Sequence, residues 1–128
     1  MNGTVFNWYE CSFWLFTASF SKTGLQFLNT VIDAVPKLSV ITQIELLCWK
    51  ADAATEQKVK DFISDGAVLD IIPDVIVQCV NVRKGKKIKT PDAIIAATAL
   101  AYNCILITNN EKDFVNIPKL RVINPYNL

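Results

Sequence analysis

A chain of 128 residues, 52% apolar and without a low-complexity tract, has the size of one domain. Such a chain buries roughly two-thirds of its unfolded surface, which excludes disorder and predicts a compact globule. The formal net charge is only +1, so any nucleic-acid signal must be local. Histidine is absent, which removes the Ser-His-Asp triad, the Cys-His pair and His-ligated zinc. Any hydrolytic chemistry then falls to carboxylates and a hard cation.

Residues 1–32 differ in kind from the rest. Seven of the thirteen aromatics fall in the first twenty positions, and Glu10 is the only acid before Asp33. The aromatic stretch from Ser12 to Phe20 has no basic n-region before it and no small-residue cleavage site after it, so it does not read as a signal peptide, and it is too short to span a membrane. Thr4 to Phe6 can supply an apolar first strand, with Trp14, Phe16 and Phe20 filling core space.

From residue 37 the chain alternates short apolar strands with helical segments, the pattern of βαβ units around a mostly parallel sheet. Residues 37–41 read as a strand. Thr42 then reads as the cap of a helix to about Lys50, with Ile41, Ile44, Leu47 and Cys48 at core spacing and Glu45 on the other side. A polar surface helix over residues 55–65 ends at Gly66, read as a left-handed stop. Residues 67–72 form a strand, and Pro73 starts a helix carrying Val75, Ile76, Cys79 and Val80.

Residues 83–89 hold five of the thirteen basic residues: Arg83, Lys84, Lys86, Lys87 and Lys89. Thr90 as cap, Pro91 at the first helical position and Asp92 beside the positive end of the dipole then open a helix over residues 93–102. This helix is apolar nearly all round and must be central. Residues 104–108 form the next strand and residues 120–123 a short last one. Cys11, Cys48, Cys79 and Cys104 have no C-x-x-C spacing and sit in apolar runs, which predicts four small buried hydrophobes, no disulfide and a reducing, cytoplasmic setting.

Three acids stand at strand-to-helix junctions: Glu45, Asp92 and Asp113. In an open α/β sheet the carboxyl ends of the strands share one crevice, so such acids meet although they are far apart in sequence. Singly, each has a plainer reading. Glu45 can be an exposed helix residue, Asp92 a helix-start carboxylate and Asp113 a turn residue.

The runs Ser39-Val40-Ile41-Thr42-Gln43-Ile44-Glu45-Leu46-Leu47, Pro91-Asp92-Ala93-Ile94-Ile95-Ala96-Ala97-Thr98-Ala99 and Leu106-Ile107-Thr108-Asn109-Asn110-Glu111-Lys112-Asp113-Phe114 resemble, in order and spacing, three signatures of PIN-domain nucleases. They look most like those of the VapC-type toxin ribonucleases of toxin-antitoxin pairs. The resemblance spans residues 37–125 and implies a single PIN-like three-layer α/β domain over residues 1–128. It implies Mg²⁺- or Mn²⁺-dependent endoribonuclease activity, with Glu45, Asp92 and Asp113 as catalytic, metal-holding acids. Asn110 falls where a fourth acid often stands, and Thr42 and Thr108 match supporting hydroxyls. It also implies an RNA substrate, a cognate antitoxin and a homodimer, with no membrane association. The basic run at residues 83–89 is then the candidate RNA contact, its plain alternative being a solvated turn.

One departure stands out. PIN domains carry a first acid in an N-terminal strand ending in Asp-Thr-Asn or Asp-Ser-Asn, and here only Glu10 is available. Codons such as TGG TAC GAA TGT AGT for residues 8–12, read one base later, encode Gly-Thr-Asn-Val-Val. We therefore offer a frameshift confined to about the first twenty residues as a hypothesis, which sequencing the gene would refute if no overlapping frame encodes a Thr-Asn-Val-like run. Loss of the first acid opens the alternative of a non-catalytic PIN-like module that binds an antitoxin or RNA. A receiver-like phosphoacceptor domain, the reading from another class, needs an acidic pair near the N-terminus that this chain lacks.

Overall fold

The computed structural model describes residues 8–11, 21–33 and 35–128. The expected strand at Thr4 to Phe6 and the roles given to Trp14, Phe16 and Phe20 lie outside the described residues. In chain order the elements are β1 (Trp8–Cys11), α1 (Lys22–Asp33), β2 (Lys37–Ser39), α2 (Val40–Cys48), α3 (Ala53–Asp65), β3 (Ala67–Leu69), α4 (Pro73–Gly85), α5 (Thr90–Ala101), β4 (Cys104–Ile107), α6 (Glu111–Phe114) and β5 (Val122–Ile123). A short 3-10 turn, Pro125–Asn127, follows β5.

The five strands form one parallel sheet in the order β3-β2-β1-β4-β5. The chain steps outward on one side of β1 and then returns to its other side at β4. That reversal makes the gap between β1 and β4 a topological switch point. Parallel strands covered on both faces read as unbroken apolar runs, and Cys104-Ile105-Leu106-Ile107 in β4 is buried at every position.

Strand alternation sorts the core into two halves. Leu106 joins Leu69, Val82, Ile95, Ala96, Ala99 and Phe114 on one face, under α4 and α5. Ile107 joins Leu38, Leu46 and Val59 on the other, with Phe27 of α1 and Phe62 of α3 packed against them. The result is the expected three-layer sandwich. The central helix is α5, where Ala93 and Ile95 to Ala99 are all buried. Thr98 is tolerated there because its hydroxyl donates to the Ile94 carbonyl at 2.7 Å.

Several element boundaries differ from the sequence expectation. The strand expected over residues 37–41 stops at Ser39, and Ser39, not Thr42, caps α2. Its Oγ accepts from the Thr42 N–H and donates to Thr42 Oγ1, both at 3.0 Å. The buried positions of α2 are Thr42 and Leu46, whereas Ile44 and Leu47 are 51% and 53% exposed and Cys48 is also exposed. Gly66 is extended (φ −89°, ψ −166°) rather than left-handed. The α3 helix begins at Ala53, capped by Asp52, and is not wholly a surface element, since Val59 is buried. Helix α5 starts at Thr90 with Lys89 as its cap residue, one position before the expected start. The helix α1 was not anticipated.

Candidate metal and nucleic-acid site

Each candidate acid is delivered to the carboxyl edge of the sheet by a different junction. Glu45 stands in the second turn of α2, directly after β2. Asp92 lies in the first turn of α5, a helix that runs back toward the start of β4 and so presents its N-terminus at this same edge. Asp113 lies in α6, after the turn that leaves β4. Asp92 is the member that links the other two electrostatically.

The pKa of Asp92 is raised first by burial and then by the charge of Asp113, against a smaller lowering by Lys89. That of Glu45 is raised by partial shielding from water and then by the charge of Asp92. The electrostatics thus link Glu45 to Asp92 and Asp92 to Asp113. Among the described residues, however, no three acids stand at the spacing that encloses a metal ion.

The supporting residues are tied locally. Asn110 donates from Nδ2 to Asp113 Oδ2, which orients that carboxylate. The buried Thr108 accepts the Asn110 N–H on its Oγ1 at 3.1 Å, and its own N–H extends the ladder to the Ile123 carbonyl at 3.1 Å. The buried Thr42 hydroxyl is engaged by Ser39. Glu111, not singled out in the sequence, accepts from Asn127 Nδ2 at 2.7 Å and Asn124 Nδ2 at 3.1 Å on one oxygen, binding α6 to the chain after β5.

A groove of about 520 Å³ opens beside Asp92 and Asp113. Four members of the basic run line it, Arg83, Lys86, Lys87 and Lys89, and Lys112 adds a cation that the sequence reading missed. Its position next to Asp113 was the available signal. Lys84 is exposed and does not line the groove. Arg83 and Lys84 belong to the last turn of α4, so the basic segment is part helix and part loop. Lys86 is also an anchor: its Nζ donates to the Val115 carbonyl at 2.7 Å and to that of Lys112 at 3.5 Å.

The register also bears on the missing acid. Trp8 pairs with Cys104 at the amino end of β1, whereas Cys11 pairs with Ile107 at the carboxyl end, beside the turn to Asp113. An acid at position 8 would stand at the far end of the strand from Asp92. Glu10 sits in register with Lys37 and Leu106, and its side chain lies outside the described residues. The four-residue strand therefore places position 11, not 8, nearest the crevice.

The model of the PIN domain family matches residues 21–120, well over half of the chain, and takes in only the last part of the atypical first 32 residues. A toxin-antitoxin complex from Klebsiella pneumoniae contains a chain 30% identical, with TM-score 0.70, covering 92% of this chain and 98% of that one. VapBC2 from Rickettsia felis, solved with a DNA fragment from its promoter, is 23% identical (TM-score 0.72, covering 91% and 97%). DNA-bound VapBC from Salmonella typhimurium is 22% identical (TM-score 0.73, covering 93% and 98%), and these last two show the fold alone. No curated protein matches the chain at a significant level. A family match of that extent, over a five-stranded parallel sheet with a switch point between β1 and β4, makes this chain a member of the PIN domain family.

Proposed function

We propose that this chain is an endoribonuclease that uses Mg²⁺ or Mn²⁺. The observation that carries the proposal is the linked set Glu45, Asp92 and Asp113 at the carboxyl edge of the sheet, next to a groove lined by five cations. The donor set fits a hard cation, being oxygen only, with the charge of Asp113 raising the pKa of Asp92 and the charge of Asp92 raising that of Glu45. Mg²⁺ keeps several waters and needs only one or two protein carboxylates beside substrate phosphates, so Asp92 with either neighbour suffices. The cation would supply charge neutralisation at a scissile phosphate and an activated water. Asn110 holds the Asp113 carboxylate in place, while Arg83, Lys87, Lys89 and Lys112 hold the RNA backbone along the groove.

One observation favours a second reading, a PIN module that binds without cutting: no aspartate precedes Asp33, so the first acid of the family is missing. A single experiment separates the two. Cleavage of mixed RNA is followed with Mg²⁺, with Mn²⁺ or with chelator, for the parent chain, Asp92→Asn and Cys11→Asp. Metal-dependent cleavage by the parent that Asp92→Asn abolishes supports the nuclease. Cleavage by Cys11→Asp alone marks a disabled nuclease, and silence in all three sinks the catalytic reading.

The partners proposed with this activity are a cognate antitoxin and a second copy of the chain. The support is the likeness to a toxin-antitoxin complex together with two outward apolar faces, Ile44 and Leu47 on α2 and Ile76, Val77 and Val80 on α4. Among the described residues no helix is long and apolar enough to cross a membrane.

A further inference from the structure

The end of the sheet opposite the acids carries a second polar recess. It has a volume of about 340 Å³ and lies where α5 runs out into β4. Its polar lining comes from Gln78 and Asn81 on α4, Asn103 before β4, and Lys119 and Arg121 before β5. No carboxylate lines it among the described residues. Two cations and three amides on one recess describe a site for an anion with several acceptor oxygens. The volume falls at the lower end of the range for small-ligand sites, ~300–1,000 Å³.

Two details argue that the site is built rather than incidental. The Arg121 guanidinium is fixed by its Nη2, which donates to the carbonyl and to Oδ1 of Asn103, both at 3.2 Å. A fixed guanidinium loses less freedom when it grips a phosphoryl group. The second detail is Lys119. The Leu120 N–H donates to the Ile117 carbonyl at 3.3 Å, closing a turn with Pro118 second and Lys119 third, and Lys119 has φ +69°. A turn with proline second and a positive φ third is type II, and its third position calls for glycine or asparagine. A lysine there bears backbone strain that glycine would relieve, and strained positions of this kind gather at functional sites.

We propose that this recess binds a phosphoryl anion through Lys119, Arg121 and the amides of Gln78, Asn81 and Asn103. It lies at the amino end of β4, separated from Asp113 by the length of that strand, so it acts independently of the groove beside Asp92.

The test is a titration of the full chain, followed by amide chemical shifts, with inorganic phosphate and separately with a short single-stranded oligoribonucleotide. The proposal expects phosphate to shift the amides of Asn103, Lys119 and Arg121. Lys119→Gly should weaken that binding at least tenfold while raising the thermal midpoint, because it removes the cation and the strain together. Asn81→Asp, which adds an opposing charge from the exposed face of α4 without touching the turn, should weaken it similarly. Tighter binding of the oligoribonucleotide at the same amides assigns the anion to an RNA backbone, and equal or weaker binding assigns it to free phosphate. Shifts confined to Lys87 and Lys89, no shift with either probe, or full binding by both variants would overturn the proposal.

Discussion

Asp92 feels the charge of Asp113, and Glu45 that of Asp92, and this dictates how the protein responds to pH. The pKa values of Glu45 and Asp92 are raised above their ordinary 4.5 and 3.8. The folded chain therefore holds these protons more tightly than the unfolded chain between the ordinary value and the raised one. Stability falls as pH climbs through that interval, and below it the penalty vanishes. Asp92→Asn should accordingly stabilise the metal-free protein at neutral pH. Because the carboxylate is largely in water, the gain is discounted to about 0.5 kcal/mol, fading below about pH 4. Thermal melts across pH measure it, and a lower midpoint for Asp92→Asn at pH 7 would contradict the mutual repulsion. Added Mg²⁺ should raise the midpoint of the parent chain and not that of the variant. Lys86 supplies the opposite case at this scale, since its ammonium satisfies two backbone carbonyls at the end of α6. Lys86→Met should lower stability by about 1 kcal/mol, seen as a lower denaturant midpoint at unchanged slope.

Among the elements, glycine positions separate what a sequence declares from what packing decides. Gly66 ends α3 as expected, but for a different reason. A Cβ there would stand 2.9 Å from the Pro36 carbonyl oxygen, a backbone atom that cannot turn aside. Gly66→Ala should cost about 1–3 kcal/mol through overpacking. Gly85 has nothing within 4 Å of such a Cβ and closes α4 without a positive φ. Gly85→Ala should therefore gain about 0.5–1 kcal/mol by restricting the unfolded chain. Paired urea melts check both signs at once.

The order of elements from residue 37 onward was legible because strand and helix periods alternate and because Pro73 and Pro91 punctuate helix starts. The phase of α2 was not legible. Val40-Ile41-Thr42-Gln43-Ile44-Glu45-Leu46-Leu47-Cys48 is apolar on more than one face, so spacing alone cannot choose which face packs. The Ser39 and Thr42 hydroxyls choose it, turning Leu46 inward and Ile44 and Leu47 out. The candidate acids were legible because they stand at junctions. The ties through Lys86 and Glu111 span 13 to 29 residues of sequence and carry no local signal.

For the whole molecule, the outward row on α4 is the feature that the three-layer core leaves unused. Ile72, Ile76 and Val80 recur every fourth residue and line one side of that helix, with exposures of 38%, 56% and 46%. The inner side is already committed through Val75 and Val82. A contiguous apolar row of this kind on a small domain marks a contact surface rather than scattered exposure. If the proposed partners bind, this row suits the contact between two copies of the chain, and the separate exposed pair Ile44 and Leu47 on α2 suits the antitoxin. Placing a charge at the centre of an apolar contact leaves it buried without a partner, which costs on the order of 2 kcal/mol, roughly thirtyfold in dimer Kd. Ile76→Asp should therefore sediment as a monomer where the parent chain sediments as a dimer. Because the position is exposed in the single chain, its thermal midpoint at low concentration should hardly move. Ile44→Asp should leave the dimer intact and weaken antitoxin capture. A parent chain that sediments as a monomer, or an Ile76→Asp variant that stays dimeric, would remove α4 from the interface.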